Sequence, residues 1–477
     1  MRLKLLNIYL GAVLSACAVG PDYKRPDSAV PSTIPSMQSA ELEQREKIDI
    51  GWWKLFNDPQ LDEMVKQAFA HNLDLELALA RVDEARASLG IAKADFFPSL
   101  DLGGRGGKFK ISENAGFATP TGSKTFTDYT LGLNLSYELD LWGKIRRSNE
   151  AARAQLFQAD FNRANVQLTV VSQVVTTYFL LRSLDLQLTI AQETLASRKG
   201  SYELEAKRFK GGMTSELTAK QSEAEMHSAA ATVAQLENSV SRAESALSIL
   251  LGRDGRGIFE SPVLRGKSMR DFIVPPKLPM VLPSQLLERR PDIASAEQQL
   301  IAANARIGLA KSFYFPSFSL VGGIGGESTE FNNLFKGPSQ TWSYGLNLAM
   351  PIFNAGKTGF LVDAATARQK EALVQYQKAI QVAFTEVRDA LKSYDSGRAV
   401  FEAQKAQVNA VERNLYLANL RYKNGQSPYL DVLDAERQLF QVQLGLVQSQ
   451  QARLVSVVDL YKALGGGWSL NNQEEQK

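Results

Sequence analysis

The sequence predicts an α+β membrane protein built by tandem internal duplication. Each repeat supplies one β-hairpin to a membrane barrel and a pair of long helices to a helical extension. Three observations carry this: landmarks that recur at constant offsets, a hydrophobic period that changes from helical to alternating and back, and a leader that ends at the only cysteine. Of 477 residues, 44% are apolar and 22% charged, enough for a large ordered core. Past residue 16 no apolar run approaches the ~18 residues of a spanning helix, so a bundle of membrane helices is excluded. The formal charge is +3, and without Arg2 and Lys4 of the leader the chain carries 52 basic and 51 acidic residues. That balance calls for no nucleic-acid partner. One cysteine and two histidines exclude disulfide frameworks and clustered Cys/His metal sites, so no metal and no cofactor is expected.

Residues 1–16 have a short basic start and an apolar stretch from Leu5 to Leu14, the anatomy of a secretory signal peptide. A lone cysteine is ordinarily a buried thiol, but Cys17 follows Leu14-Ser15-Ala16, a tetrapeptide that resembles a bacterial lipobox. In such a motif the thiol is acylated and the cysteine becomes the new N-terminus. Ala18, in place of Asp, points to the outer membrane, where several buried acyl chains at about 0.8 kcal/mol per CH₂ make a durable anchor.

The repeat is read from paired landmarks. Leu89-Gly90-Ile91-Ala92-Lys93 and Phe97-Pro98-Ser99 recur 218 residues later as Ile307-Gly308-Leu309-Ala310-Lys311 and Phe315-Pro316-Ser317. Gly132-Leu133-Asn134-Leu135 recurs 213 later, and the same offset carries Arg208-Phe209-Lys210 onto Arg421-Tyr422-Lys423. The expected organisation is a signal peptide 1–16, a lipidated segment 17–59, repeats 60–252 and 284–465, a linker 253–283 and a tail 466–477.

Within each repeat the first stretch, 61–95 in repeat one, is rich in Ala, Leu, Glu and Arg and predicts helix. Alternation follows: Tyr129, Leu131, Leu133, Leu135, Tyr137 and Leu139 share one face, with Thr130, Gly132, Asn134, Ser136 and Glu138 on the other. Trp342, Tyr344, Leu346 and Leu348 repeat it, so hairpins are expected at about 98–141 and about 316–350. Helix resumes over 148–209 and 360–422, each with a single Gly, for roughly 90 Å per run. Gly211-Gly212 and Asn424-Gly425 then turn the chain into returning helices.

Aromatics at the strand ends (Phe96, Phe97, Tyr137, Trp142, Phe313, Tyr314 and Phe315) match the interfacial girdles of outer-membrane barrels. Two hairpins give four strands, and about eight is the minimum for closure. An open edge in lipid leaves backbone groups unpaired at several kcal/mol each. The chain is therefore expected to share one barrel with copies of itself. Two chains would give a filled eight-stranded barrel, whereas three give twelve strands and a lumen.

At this point the sequence resembles the outer-membrane factors of tripartite efflux systems, the TolC-like family, in its OprM- and CusC-type lipoprotein branch. The resemblance covers essentially the whole mature chain. It is carried by Cys17 with Gly20-Pro21-Asp22-Tyr23-Lys24-Arg25-Pro26, by Trp52-Trp53 and Phe56, and by Arg289-Arg290-Pro291-Asp292-Ile293. Pro351-Ile352-Phe353-Asn354-Ala355-Gly356 and Leu464-Gly465-Gly466-Gly467-Trp468 complete it. It implies a homotrimer with a twelve-stranded barrel, a long periplasmic helical barrel, and a mixed equatorial belt from the N-terminal segment, linker and C-terminus. It further implies docking to a periplasmic adaptor and an inner-membrane pump of the resistance-nodulation-division type.

The second helical turn reads Tyr429-Leu430-Asp431-Val432-Leu433-Asp434, with Leu430 and Asp434 four apart on one face. Three chains would set a leucine ring beside a carboxylate ring, which attracts cations. The family's aperture falls at Leu430, Asp431 and Asp434 by resemblance. Its Tyr–Asp–Arg latch does not carry over, because Tyr422 is present but the partner positions hold Thr218 and Ser427. Closure is therefore expected to rest on the Leu430 and Asp434 rings. Arg208 with Gly212, and Arg421 and Tyr422 with Gly425, are the candidate adaptor-docking turns.

No catalytic constellation emerges. Gly356-Lys357-Thr358 lacks the upstream Gly of a phosphate-binding loop, because position 351 is Pro. Gly103-Gly104-Arg105-Gly106-Gly107 lacks the strand-to-helix setting, and His71 and His227 have no orienting partner. The expected function is export of drugs or other small toxic organic compounds, since eight methionines in 477 residues give no thioether-rich lining. A heavy-metal cation efflux system and a non-conducting structural lipoprotein are the alternatives.

Overall fold

The computed structural model describes residues 18–27, 42–44, 51–112, 114, 125–274, 278–280, 283–466 and 468. Cys17 lies outside them. In chain order the elements are β1 (Leu42–Gln44), α1 (Pro59–His71), α2 (Leu73–Ala94), β2 (Ser99–Lys110), β3 (Thr125–Leu139), α3 (Lys144–Lys210) and α4 (Glu216–Leu250). Then come α5 (Gly255–Glu260), β4 (Leu278–Met280), α6 (Pro283–Arg289), α7 (Pro291–Ser312), β5 (Ser317–Ser328), β6 (Gln340–Ala349), α8 (Lys357–Lys423) and α9 (Tyr429–Ala463). The duplication is visible in matched lengths. Helices α2 and α7 have 22 residues each, β2 and β5 have 12, α3 and α8 have 67, and α4 and α9 have 35.

The chain divides into two compact units. The first comprises Met1–Asp27, Val82–Ala159 and Ala296–Tyr376. It holds a four-stranded antiparallel sheet of order β2-β3-β5-β6, so the hairpins of both repeats join through β3 and β5. Register follows the alternation. One row, Leu102–Leu133–Ile324–Trp342, crosses all four strands on the apolar face. The next, Asp101–Asn134–Gly323–Ser343, crosses on the opposite face, because successive side chains of a strand alternate. Gly325 pairs with Gly132, and a Cβ on Gly325 would collide with the Leu131 carbonyl, so the strands approach too closely for any side chain. Small cores also repeat. Leu89, Ala92 and Ala152 pack together in repeat one, as do their counterparts Ile307, Ala310 and Ala365 in repeat two.

The segment after Ala18 is strapped to this unit. The Val19 N–H donates to the Trp142 carbonyl at 3.0 Å, Arg147 pairs with Asp22 at 2.7 Å, and Tyr23 donates to Glu297 at 3.0 Å. Gly20 crosses Gly308 so closely that a Cβ on Gly20 would strike the Gly308 backbone.

The second unit comprises Ser28–Arg81, Asp160–Ser295 and Gln377–Lys477. Its centre gathers the N-terminal segment, the linker and the C-terminal helix. Phe56 packs edge-on to Phe179 at 4.8 Å, Phe179 meets Phe272 at 5.2 Å, and Trp52 stacks on Tyr461 at 5.3 Å. A buried polar knot ties the same parts: Tyr178 donates to Asp58 at 2.6 Å, and the Lys267 N–H donates to the same carboxylate at 3.1 Å. Burial and the Asp58 charge push the Tyr178 hydroxyl pKa up, so it stays a donor. Arg290, also buried, joins Asp292, Glu386 and the Ala463 carbonyl.

Two expectations need correction. The helix expected over 61–95 is broken at Asn72, which takes an extended conformation. Its side chain accepts from the Asp74 and Leu75 N–H groups and donates to the Leu250 carbonyl, replacing the helical continuation with a cap. Helix α3 does contain a window apolar enough by length and composition to cross a membrane. Half of that window is buried, and Val170, Val171, Val174, Val175 and Phe179 belong to the core.

Candidate functional site

The candidate site lies where α3 turns into α4 and α8 into α9, each turn at the end of 67 helical residues that run roughly 100 Å. Both turns are built alike. Gly212 and Gly425 take left-handed φ values of 72° and 71°. The Met213 N–H reaches the Arg208 carbonyl at 2.8 Å, and the Gln426 N–H reaches the Arg421 carbonyl at 2.9 Å. These bonds satisfy helix-end carbonyls, and glycine adopts the required φ without strain. Four docking candidates, Arg208, Gly212, Arg421 and Gly425, thus occupy matched places in the two turns.

Tyr422 is held differently from the resemblance. Its hydroxyl donates to Glu205 at 3.1 Å and accepts from Arg208 at 2.6 Å, while Arg208 pairs with Glu205 at 3.1 Å. Burial and the Glu205 carboxylate raise the Tyr422 pKa. The Thr218 and Ser427 positions are bypassed, and a Tyr–carboxylate–Arg cluster forms with an acid on α3 instead. Sequence reading missed Glu205; the clue available was its spacing of three from Arg208, which puts both on one helical face.

Leu430, Asp431 and Asp434 are exposed, whereas Tyr429, Val432 and Leu433 are buried and pack with Leu415, Ala418 and Tyr422. The three aperture candidates therefore share the face of α9 that its own unit leaves uncovered. Asp434 accepts from Arg437 at 2.8 Å, and Arg437 in turn pairs with Glu225 of α4 at 2.7 Å. The other Glu225 oxygen takes Arg198 of α3 at 3.0 Å, and Arg198 lies over the Phe440 ring at 5.5 Å. A chain of four charges thus links the candidate aperture face to the neighbouring hairpin. Beside it, burial raises the Glu436 pKa; Arg198 opposes the shift and the Glu225 charge adds to it. Glu225, Arg198 and Glu436 were invisible to sequence reading, because their meeting depends on how three helices pack.

A half-lipophilic sheet with two free edges, joined to paired helices with matched turns, defines a channel-forming membrane protein. Known proteins agree. The model of the outer membrane efflux protein family matches residues 64–253 and again 282–466, one match per repeat. The probable outer membrane lipoprotein SilC of Salmonella typhimurium is 36% identical over 470 residues, covering 98% of this chain and 99% of its own length. The cation efflux system protein CusC of Escherichia coli is 34% identical over 469 residues, again 98% and 99% of the two lengths. The antibiotic efflux pump outer membrane protein ArpC of Pseudomonas putida is 33% identical over 476 residues, 98% of this chain and 96% of its own. Among solved structures, the CmeC outer membrane channel of Campylobacter jejuni superposes with a TM-score of 0.89 at 30% identity, covering 97% and 98% of the chains. The chain belongs to the outer membrane efflux protein family. It is an outer-membrane protein with a transport role, and its fold is that of the outer-membrane channels.

Proposed function

We propose that three copies of this chain close a twelve-stranded barrel across the outer membrane and continue it as a periplasmic helical barrel, forming the exit duct of a tripartite efflux pump. One observation carries this reading. Strands β2 and β6 are unpaired edges of a sheet whose one face is Leu-, Tyr- and Trp-lined. In lipid such edges cost several kcal/mol per unpaired group until another chain pairs them. The duct is anchored by acyl chains on Cys17. Its domain division is signal peptide 1–16, anchored segment 17–59, repeats 60–252 and 284–465, linker 253–283 and tail 466–477.

Leu430, Asp431 and Asp434 line the periplasmic aperture, and the Glu225–Arg437 and Glu205–Tyr422 contacts hold it shut. Arg208, Gly212, Arg421, Tyr422 and Gly425 meet a periplasmic adaptor, which couples the duct to an inner-membrane pump of the resistance-nodulation-division type. Three chains with two turns each offer six quasi-equivalent contacts. The cargo is drugs and other small toxic organic compounds, as the name of the ArpC relative supports. Heavy-metal cations are the second reading, favoured by the CusC relative. Deleting the chain and measuring susceptibility separates them. Sensitivity to hydrophobic antibiotics with unchanged copper and silver tolerance supports the first reading, and the reverse supports the second. Purified protein that gives no stepwise conductance in a planar bilayer would overturn both in favour of a structural lipoprotein.

A further inference from the structure

We infer that Phe353 of one chain closes on Phe97 of the next, with Ile352 against Leu100, forming an apolar staple at the base of the sheet that locks neighbouring chains together. This rests on the trimeric reading above and adds a specific contact to it.

The duplication supplies the template. Strand β3 belongs to repeat one and β5 to repeat two, so their ladder is a junction between repeats inside one chain. At offsets of 213 and 218, β3 corresponds to β6 and β5 to β2. A ladder between β6 of one chain and β2 of the next is therefore the quasi-equivalent of β3–β5, with the same strand directions. It also has a predicted register: Leu139 pairs with Phe318 inside the chain, so Ile352 falls opposite Leu100 of the neighbour.

The internal junction is stapled at its base. Trp142, just after β3, stacks on Phe315, just before β5, with ring centroids 4.8 Å apart. Its Nε1 donates to the Pro316 carbonyl at 2.7 Å. The counterpart of Phe315 is Phe97, which sits just before the free edge strand β2 and is 71% exposed, against 37% for Phe315. Phe97 therefore lacks the cover that Trp142 gives its twin.

The segment after β6 matches the one after β3 in backbone but not in side chains. Gly143 and its counterpart Gly356 both take φ of 81°. Ala355 stands where Trp142 does, and the aromatic has moved to Phe353, where repeat one has Asp140. Asp140 is turned onto its own helix, accepting from the Ile145 and Arg146 N–H groups at 3.0 and 2.9 Å. A phenylalanine cannot cap a helix, and Phe353 is 89% exposed with Ile352 at 88%. Two large bare apolar side chains thus lie at the base of one free edge and a third at the base of the other. The occupant that brings these two edges together is a second copy of this chain.

The test uses the full chain in its outer membrane. Phe97→Cys and Phe353→Cys are made singly and together, and membranes are treated with a short bismaleimide. Covalent dimers and trimers from the double variant, and none from either single variant, are expected. An amine-reactive cross-linker run in parallel separates the two levels of the account. If it yields trimers while the bismaleimide yields only monomers, the staple is wrong and the trimer stands. If it yields only monomers, the trimeric reading fails and takes the staple with it. Should the cysteine variants not assemble, Phe97→Leu and Phe353→Leu are heated in detergent. A lower trimer dissociation temperature for each, with no further drop in the double variant, supports the contact. Wild-type behaviour of both, or additive drops, overturns it.

Discussion

Replacing Glu225 by Gln tests the brace proposed to hold the aperture. Glu225 bonds Arg198 at 3.0 Å through one oxygen and Arg437 at 2.7 Å through the other. Arg198 is almost fully buried, so removing its counter-charge leaves a buried guanidinium held only by the backbone carbonyl of residue 225 and the Phe440 ring, a loss of about 3 kcal/mol. The Arg437 arm is half-exposed and adds under about 1 kcal/mol. If the aperture opens by drawing α9 away from α3 and α4, the Arg198–Glu225 pair between α3 and α4 persists in both forms, and only the Arg437 arm is lost from the closed form alone. Up to about 1 kcal/mol corresponds to a rise of at most roughly five-fold in the open-to-closed ratio, while the Arg198 loss lowers the stability of both forms. Single-channel recording in planar bilayers reads this directly as open probability and resting current. A Glu225→Gln trimer that assembles normally and shows wild-type resting current would refute the brace.

Further outcomes follow from individual contacts. Asp434→Ala removes one carboxylate per chain and leaves Arg437 paired with Glu225 alone, so the proposed aperture should lose cation selectivity in reversal-potential measurements. Glu436→Gln should flatten a pH dependence. Burial raises the Glu436 pKa above its ordinary 4.5, so its contribution is favourable in acid and is lost as pH rises through the folded value. The variant should therefore gain thermal stability over wild type as pH rises above about 4.5, and an equal difference at all pH values would count against it. Gly325→Ala should abolish assembly, because its Cβ meets the Leu131 carbonyl across the ladder; loss of the heat-modifiable trimer band on gels checks this.

Much of this fold is legible in the chain because lipid and lumen impose opposite demands on alternate residues. The run from Tyr129 to Leu139 keeps strict period two, so it identifies a strand and its apolar face without any tertiary information. The repeats are legible for a second reason: Phe97-Pro98-Ser99 and Phe315-Pro316-Ser317 mark the same helix-to-strand transition twice. The break at Asn72 was only partly legible: its cap on Asp74 and Leu75 is local, but the Leu250 carbonyl that fixes its amide is 178 residues away. The candidate site divides along the same line. Leu430 and Asp434 could be placed on one face by spacing of four alone. Glu205 and Glu225 could not, since Tyr422 is 217 residues from the first and Arg437 is 212 from the second. Asp434 is one end of a charge chain that reaches α3 through Arg437 and Glu225, a link set by helix packing.

The most direct measurement of the central claim is the mass of the full lipoprotein extracted from outer membranes in mild detergent, taken by native mass spectrometry. Three chains per particle, each carrying acyl mass on Cys17, is the predicted result. A monomer that remains in solution without detergent, its Leu- and Trp-bearing strands folded inward, would contradict it.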